Sequence, residues 1–486
     1  MTAAKAFFVV GGLAVQLGLP RLLRSPEEYG LYAAATALLA ILTNTLTQAA
    51  MQTTSKHASE GGESLRTSLV LAGALGGALS LALFALADTL AVRALHDPLL
   101  GPLLRVLSAL PLAYAIYATA IGQLNGQRDF ARQARLDGSF TLVRTTGLLG
   151  GGALAVGALG AVIGFASAAL VMACVGLVFV GIGRAGGPVS RRAWLAFFAG
   201  VALHQLALNG LLQLDVEILK SQVATLASDT GASSVEAARR ASEQAGLYRA
   251  AQSIAFVPYQ LVLAVTLVLF PTVARARTLG DTEGARTALR GALRFAAIAL
   301  VLTSAPIAGG GDAAIRVLLD ARYAPGGDAL TILALGQIAF TLFVVGSTAI
   351  SGDGSPFAVA LSAAAGLGVT LVVAVLGIDA AGASGPVRVA AASAAAGGCV
   401  VALVIVLGLV VVRFGWGALP WSTLLRGSLA GAAGFTVTRV LPHAGRLDSL
   451  LALVLGALAS LAMLALSREL GRDDVALVRR VLRRGG

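Results

Sequence analysis

Long stretches of almost wholly apolar residues, separated by short polar clusters, set the pattern of this chain. About 20 consecutive apolar residues are what a helix needs to cross a bilayer. The runs here predict helices over 3–23, 29–51, 69–92, 102–124, 140–156, 159–182, 194–214, 246–273, 291–308, 329–350, 357–378, 387–412, 423–441 and 447–466. That amounts to about fourteen spans. The period-two alternation of a membrane barrel is missing, and helices satisfy their own backbone groups in lipid. One polar insertion, 227–243, interrupts the series as the longest expected soluble loop, with a short surface helix over 236–243. Pro111, Pro258 and Pro306 fall inside apolar runs and predict kinks. A bend at Pro258 would let one half rock against the other.

The runs contain an internal echo. Residues 244–251 read Q-A-G-L-Y-R-A-A and residues 28–35 read E-Y-G-L-Y-A-A-A, and each opens a long apolar run. Further on, L-R-V-L at 104–107 matches L-T-I-L at 330–333, and L-N-G at 124–126 matches I-S-G at 350–352. Two matches in one order point to a chain built twice, a feature of transporters whose substrate path lies where the halves meet. Chance repetition of short words in an Ala/Gly/Leu-rich sequence is the alternative. The pairs Gly73/Gly77, Gly147/Gly151, Gly160/Gly164 and Gly427/Gly431 have small-xxx-small spacing, a weak signal among 59 glycines.

Composition narrows the class. Only 12% of the 486 residues are charged and 57% are hydrophobic, against about 25% charged in a soluble protein. The net charge is +12, with lysine only at Lys5, Lys56 and Lys220. Because the arginines sit in loops, membrane orientation and anionic headgroups explain the charge better than nucleic acid, which is not an expected partner. With the N-terminus inside, the basic loops 128–135, 184–192 and 275–290 and the tail all fall inside, as the positive-inside rule requires. An even count of spans then puts both termini in the cytoplasm. Cys174 and Cys399 lie in apolar runs, so neither a structural disulfide nor a metal site is expected. No phosphate-binding loop of the Walker type occurs. The first run has no convincing cleavage site and reads as a retained helix.

Polar residues within the spans are the functional candidates, because they are costly in lipid and usually face protein or water. The seventh run carries His204, Gln205, Asn209 and Gln213, then Asp215, Glu217 and Lys220. Gln205, Asn209 and Gln213 recur every fourth residue and share one face. They either line a wet cavity or hydrogen-bond a neighbouring helix. Glu217 and Lys220, three apart, are spaced to pair. Asp215 is the candidate for a coupling cation or proton, or for a sugar hydroxyl. The second run offers Asn44, Thr47, Gln48 and Gln52 on one face. Arg24, Arg144, Arg249 and Arg294 lie near span ends. Each either binds phosphate bidentately or snorkels to headgroups. Arg249 immediately follows the repeated Gly-Leu-Tyr.

The motif L-L-R-S-P-E-E-Y-G-L-Y at 22–32 resembles the first inter-helix motif of bacterial polysaccharide-export flippases. Asp215 through Lys220, A-G-L-Y-R-A-A at 245–251 and Phe270-Pro271 resemble that family's mid-chain pattern, and 319–323 followed by 329–335 resembles its tenth-span entry. The family belongs to the multidrug/oligosaccharidyl-lipid/polysaccharide exporter superfamily, and the resemblance covers roughly 1–360. It implies an all-α polytopic membrane protein with two pseudo-symmetric six-helix bundles around a central cavity, 1–192 and 193–413. Two further spans within 414–466 and a basic cytoplasmic tail, 467–486, complete it. It also implies a transporter rather than an enzyme, flipping polyprenyl-diphosphate-linked oligosaccharide across the bacterial cytoplasmic membrane by alternating access, with no cofactor. Arg24, Lys220 and Arg249 would attract the diphosphate, while Asn44, Gln48, Gln205, Asn209 and Gln213 would meet the sugars. The expected partners are that lipid-linked substrate, membrane lipids and a coupling cation or proton at Asp215. A drug/cation antiporter of the same fold is the nearest rival, and a membrane polymerase or ligase acting on the same glycolipid is the rival from another class. The insertion at 227–243 is longer than the family pattern.

Overall fold

The computed structural model describes residues 2–59, 65–181, 190–381 and 385–470. Among them every regular element is helical. In chain order these are α1 (Thr2–Leu22), α2 (Pro26–Ser59), α3 (Leu65–Thr89), α4 (Leu100–Leu107), α5 (Leu110–Gly126), α6 (Phe130–Gly151), α7 (Gly157–Val180), α8 (Arg191–Asp229) and α9 (Ser234–Ala255). They continue with α10 (Val257–Thr278), α11 (Thr282–Gly309), α12 (Gly311–Leu318), α13 (Gly327–Gly352), α14 (Pro356–Ala381), α15 (Pro386–Ser393), α16 (Ala402–Phe414), α17 (Trp421–Val440) and α18 (Arg446–Leu466). Each expected span falls on helical structure, in some cases divided between two helices. Ten helical segments are long and apolar enough to cross a membrane. The helices over the first, fifth, eighth and thirteenth expected spans are not among those ten. For α6 the reason is visible in Arg132, Arg135, Asp137 and Arg144, and for α17 in Arg426 and Arg439.

Three expectations about continuity are corrected. The run 246–273 is two helices, because α9 ends at Ala255 and α10 begins at Val257 with Pro258 in its first turn. Proline is tolerated there, where its missing N–H is not needed. The run 102–124 breaks at Ser108–Ala109, again with a proline, Pro111, opening the next helix. The polar insertion 227–243 is not a loop. α8 runs on to Asp229 and α9 starts at Ser234, so only 230–233 turn. Pro306 lies inside α11, three residues before its end. Arg184 and the tail beyond residue 470 lie outside the described residues.

The chain folds into two compact units, Met1–Ser253 with Ala363–Gly398, and Ile254–Ser362 with Cys399–Gly486. The first therefore takes in α8 and most of α9, which the linear division at 192/193 assigns to the second half. Within it, α2 lies along α8 and α5, and α6 pairs with α7. Leu39, Leu83, Leu100, Leu103, Leu107 and Leu110 belong to one apolar cluster within it. Within the second unit α11 packs against α13 and α17, and α17 against α18. Large apolar side chains such as Val178, 85% exposed, and Val412, 81% exposed, stand on outer helix faces. So much apolar exposure suits lipid rather than water.

Close helix contacts use glycine where two backbones touch. A Cβ on Gly147 would stand 2.5 Å from the Gly164 carbonyl oxygen, and one on Gly151 would stand 2.1 Å from that of Gly160. The two glycine pairs of α6 and α7 thus meet each other.

Candidate functional site

A polar cluster sits inside the first unit, where α2, α8 and α9 converge. It is built from the stretch the sequence marked as too polar for lipid. Asn44 of α2 donates to Oδ1 of Asn209 at 3.2 Å, and Asn209 donates back to the Gln205 carbonyl oxygen at 2.8 Å. The fourfold polar row is therefore at least partly an interhelical seam. Gln205 and Gln48 are half-buried, while Asn44 keeps an exposed edge.

One turn further along α8, Gln213 accepts a hydrogen bond from the Arg249 guanidinium at 3.1 Å, and Gln252 accepts a second from the same nitrogen. Arg249 is half-buried. Two neutral amides orient the guanidinium without neutralising it, so its charge stays available to an anion. Tyr32 lies within electrostatic reach of both Arg249 and Arg144, and Arg144 also stands 5.5 Å from the Phe165 ring.

Asp215 is buried, and its carboxylate is fully engaged. It accepts from the Tyr248 hydroxyl at 2.5 Å, the Gln252 amide at 3.0 Å and the Val216 backbone N–H at 2.9 Å. The run Asp215–Gln252–Arg249–Gln213 makes Asp215 an orienting group for Arg249 and leaves its oxygens little room for a cation.

Lys220 is displaced from the role the sequence suggested. It is fully buried, and Nζ donates to Asp97 Oδ2 at 2.6 Å and to the Ser242 hydroxyl at 2.7 Å. It forms no direct ion pair with Glu217 among the described residues, although the two charges lie within electrostatic reach. Asp97 also accepts from Ser242 at 3.0 Å and from the Leu99 N–H at 3.0 Å. Residues 95–99, after α3, are thereby tied to α8 and α9. Sequence reasoning missed Asp97, although the alternating topology puts its loop on the same side as the end of the seventh span. Arg24 lies away from this cluster, exposed at the end of α1 with its backbone N–H donating to Glu28 at 3.0 Å.

The seam is possible because α2 and α9 touch at glycine. A Cβ on Gly30 would stand 1.7 Å from the Ser242 carbonyl oxygen, and one on Gly246 would stand 1.9 Å from that of Pro26. These are the glycines of the two Gly-Leu-Tyr words. Nearby, the Tyr29 and Ser253 hydroxyls share a hydrogen bond at 3.2 Å.

Helices of this number and apolarity, with an arginine-bearing polar seam inside one unit, define an all-α multi-pass membrane protein. The chain belongs to the family described as polysaccharide biosynthesis protein, whose model matches residues 19–325. None of the curated proteins compared matches it. Among solved structures it is similar to the lipid II flippase MurJ in an inward closed conformation. The two are 14% identical with a TM-score of 0.77, over 96% of this chain and 98% of that one. It is also similar to a multidrug resistance MATE family transporter of the MOP superfamily, inward-facing, at 18% identity and a TM-score of 0.60, over 87% of this chain and 95% of that one. The outward-facing form of such a transporter matches at 15% identity and a TM-score of 0.55, over 88% and 96%. At such identities the likeness is one of fold.

Proposed function

We propose that this chain flips a polyprenyl-diphosphate-linked oligosaccharide from the inner to the outer leaflet of the bacterial cytoplasmic membrane by alternating access. The observation that carries the reading is Arg249, whose half-buried guanidinium is held by Gln213 and Gln252 with no carboxylate paired to it. An oriented guanidinium held by neutral amides inside a membrane unit suits a diphosphate, which arginine binds through parallel hydrogen bonds. Arg144, beside the shared Tyr32, adds a second positive charge. Gln48, Gln205 and the exposed edge of Asn44 offer hydrogen bonds to sugar hydroxyls, and the lipid tail stays in the bilayer. Arg24 acts at the outer end of α1 as an electrostatic lure. Lys220 serves the site indirectly, by fixing α8 against α9. Both termini are cytoplasmic in this reading. The family match and the greater similarity to the lipid II flippase than to the multidrug transporters support it.

Purified protein in vesicles carrying a fluorescent polyprenyl-diphosphate oligosaccharide in one leaflet tests the proposal. Headgroup movement without covalent change is expected. Growth of the glycan chain would make the protein a polymerase. Drug export with no lipid movement would make it an antiporter.

A further inference from the structure

Glu217 is the buried charge that the substrate site does not use. Its sequence partner, Lys220, is taken by Asp97 and Ser242. Its carboxyl Oε1 accepts from the backbone N–H of Leu38, in the middle of α2, at 3.1 Å. The other oxygen, Oε2, is buried and has no hydrogen-bond partner among the described residues. The residue as a whole is 6% exposed.

The charges around it do not balance. Asp97, Asp215 and Glu217 are three carboxyl groups, while Lys220 and the half-buried Arg249 are the cations of the cluster. α2 brings Glu27 and Glu28 at its start and Lys56 and His57 at its far end. α15, which also packs on α8, brings Arg388, exposed. Tyr29, Tyr32 and Tyr248 contribute phenols, and His96 stands 3.5 Å from Ser221. One more positive charge would neutralise the buried set. Asp97 and Asp215 have their oxygens occupied by several donors each, whereas Glu217 has one oxygen bare. An ionised carboxylate left so would be a costly buried group. Among the described residues no group of three or more His, Cys, Asp or Glu side chains could hold a metal ion, whereas a single bare carboxyl oxygen suffices for a proton.

We propose that Glu217 is a proton-binding site, and that its ionisation sets how firmly α8 grips α2 at Leu38. A carboxylate accepts the Leu38 N–H as a charge-assisted bond, roughly twice as strong as the one a neutral acid can accept. Loss or gain of one proton therefore alters the contact between the two helices that carry Asn44, Asn209 and Gln213. This rests on the transport reading only in assigning the proton a use. The site itself stands on the geometry.

Infrared spectra of the purified full-length protein across a pH series test it without any substrate. A protonated-carboxyl band that titrates in the wild type should vanish in Glu217→Gln, persist in Asp215→Asn, and shift when glutamate carries carbon-13 in its side-chain carboxyl. If Glu217→Gln fails to fold, Glu217→Asp decides the matter, because its band should then no longer shift with the glutamate label. A titrating band that survives in folded Glu217→Gln, or that ignores the glutamate label, would overturn the proposal, as would no such band at any pH. In flipping vesicles the rate should depend on pH in the wild type and lose that dependence in Glu217→Gln. Unchanged pH dependence in the variant would remove the coupling role and leave the flippase reading untouched.

Discussion

Gly30 and Gly246 face each other across the contact of α2 with α9, so close that a Cβ on either would fall within 3.0 Å of the backbone nitrogen of the other. They occupy the same position in the two Gly-Leu-Tyr words. A second pair behaves alike: α5 ends at Gly126 and α13 at Gly352, the glycines of the L-N-G and I-S-G words. Each of those glycines packs against the backbone of another helix, Ser55 of α2 for the first and Phe270 of α10 for the second. The repeated words thus mark repeated contacts.

Alanine at Gly30 or Gly246 forces α2 and α9 apart. Each single substitution is expected to destabilise by about 1–3 kcal/mol, the usual cost of overpacking. The double variant should cost less than the sum, because both act on one contact. Thermal unfolding in detergent reads both effects.

Removing Asp97 leaves Lys220 buried without a counter-charge. Asp97→Ala should therefore cost about 3–5 kcal/mol, whereas Asp97→Ala with Lys220→Met should recover much of the loss. Denaturation midpoints of the two variants, compared with the wild type, check this.

The Asn44–Asn209 bond measures how much of the polar row is structural. A double-mutant cycle with alanine at both positions should give a coupling of about 0.6 kcal/mol, typical of hydrogen bonds between membrane helices. Unfolding in mild detergent supplies the four stabilities. If the same pair also meets sugar, transport should fall by much more than stability does.

Glu469 gives a pH dependence outside the spans. Burial pushes its carboxyl up, but hydrogen bonds from Thr423, Arg294 and Arg426 outweigh burial and hold it below its ordinary value of 4.5. A carboxyl depressed by folding contributes stability above its unfolded value, and that contribution is lost as pH falls through the folded one. The melting temperature should accordingly drop as the solution is acidified below about 4.5. Glu469→Gln should lower it at neutral pH and flatten the acid limb.

Helix positions were legible because apolar runs of spanning length admit little else in lipid. The polar row of α8 and the place of Arg249 beside the repeat were legible too, since both are local, but not that Gln213, 36 residues earlier, holds it. What the sequence concealed was long-range pairing. Local spacing offered Glu217 to Lys220, but the lysine is bound by Asp97, 123 residues away. Polarity suggested a loop at 227–243, yet α8 and α9 extend through it and bury Ala237, Ala238 and Ala241 on one side. Prolines marked breaks at Pro111 and Pro258 but not whether a helix would continue, as through Pro306, or restart.

The most direct measurement is the rate at which Arg249→Ala, folded and reconstituted, moves a fluorescent polyprenyl-diphosphate oligosaccharide across vesicles. It should fall at least about tenfold below wild type, the equivalent of one lost charge-assisted contact of about 1.4 kcal/mol or more. Arg249→Lys, which keeps the charge but not the fork, should fall between the two. A wild-type rate in folded Arg249→Ala would contradict the account.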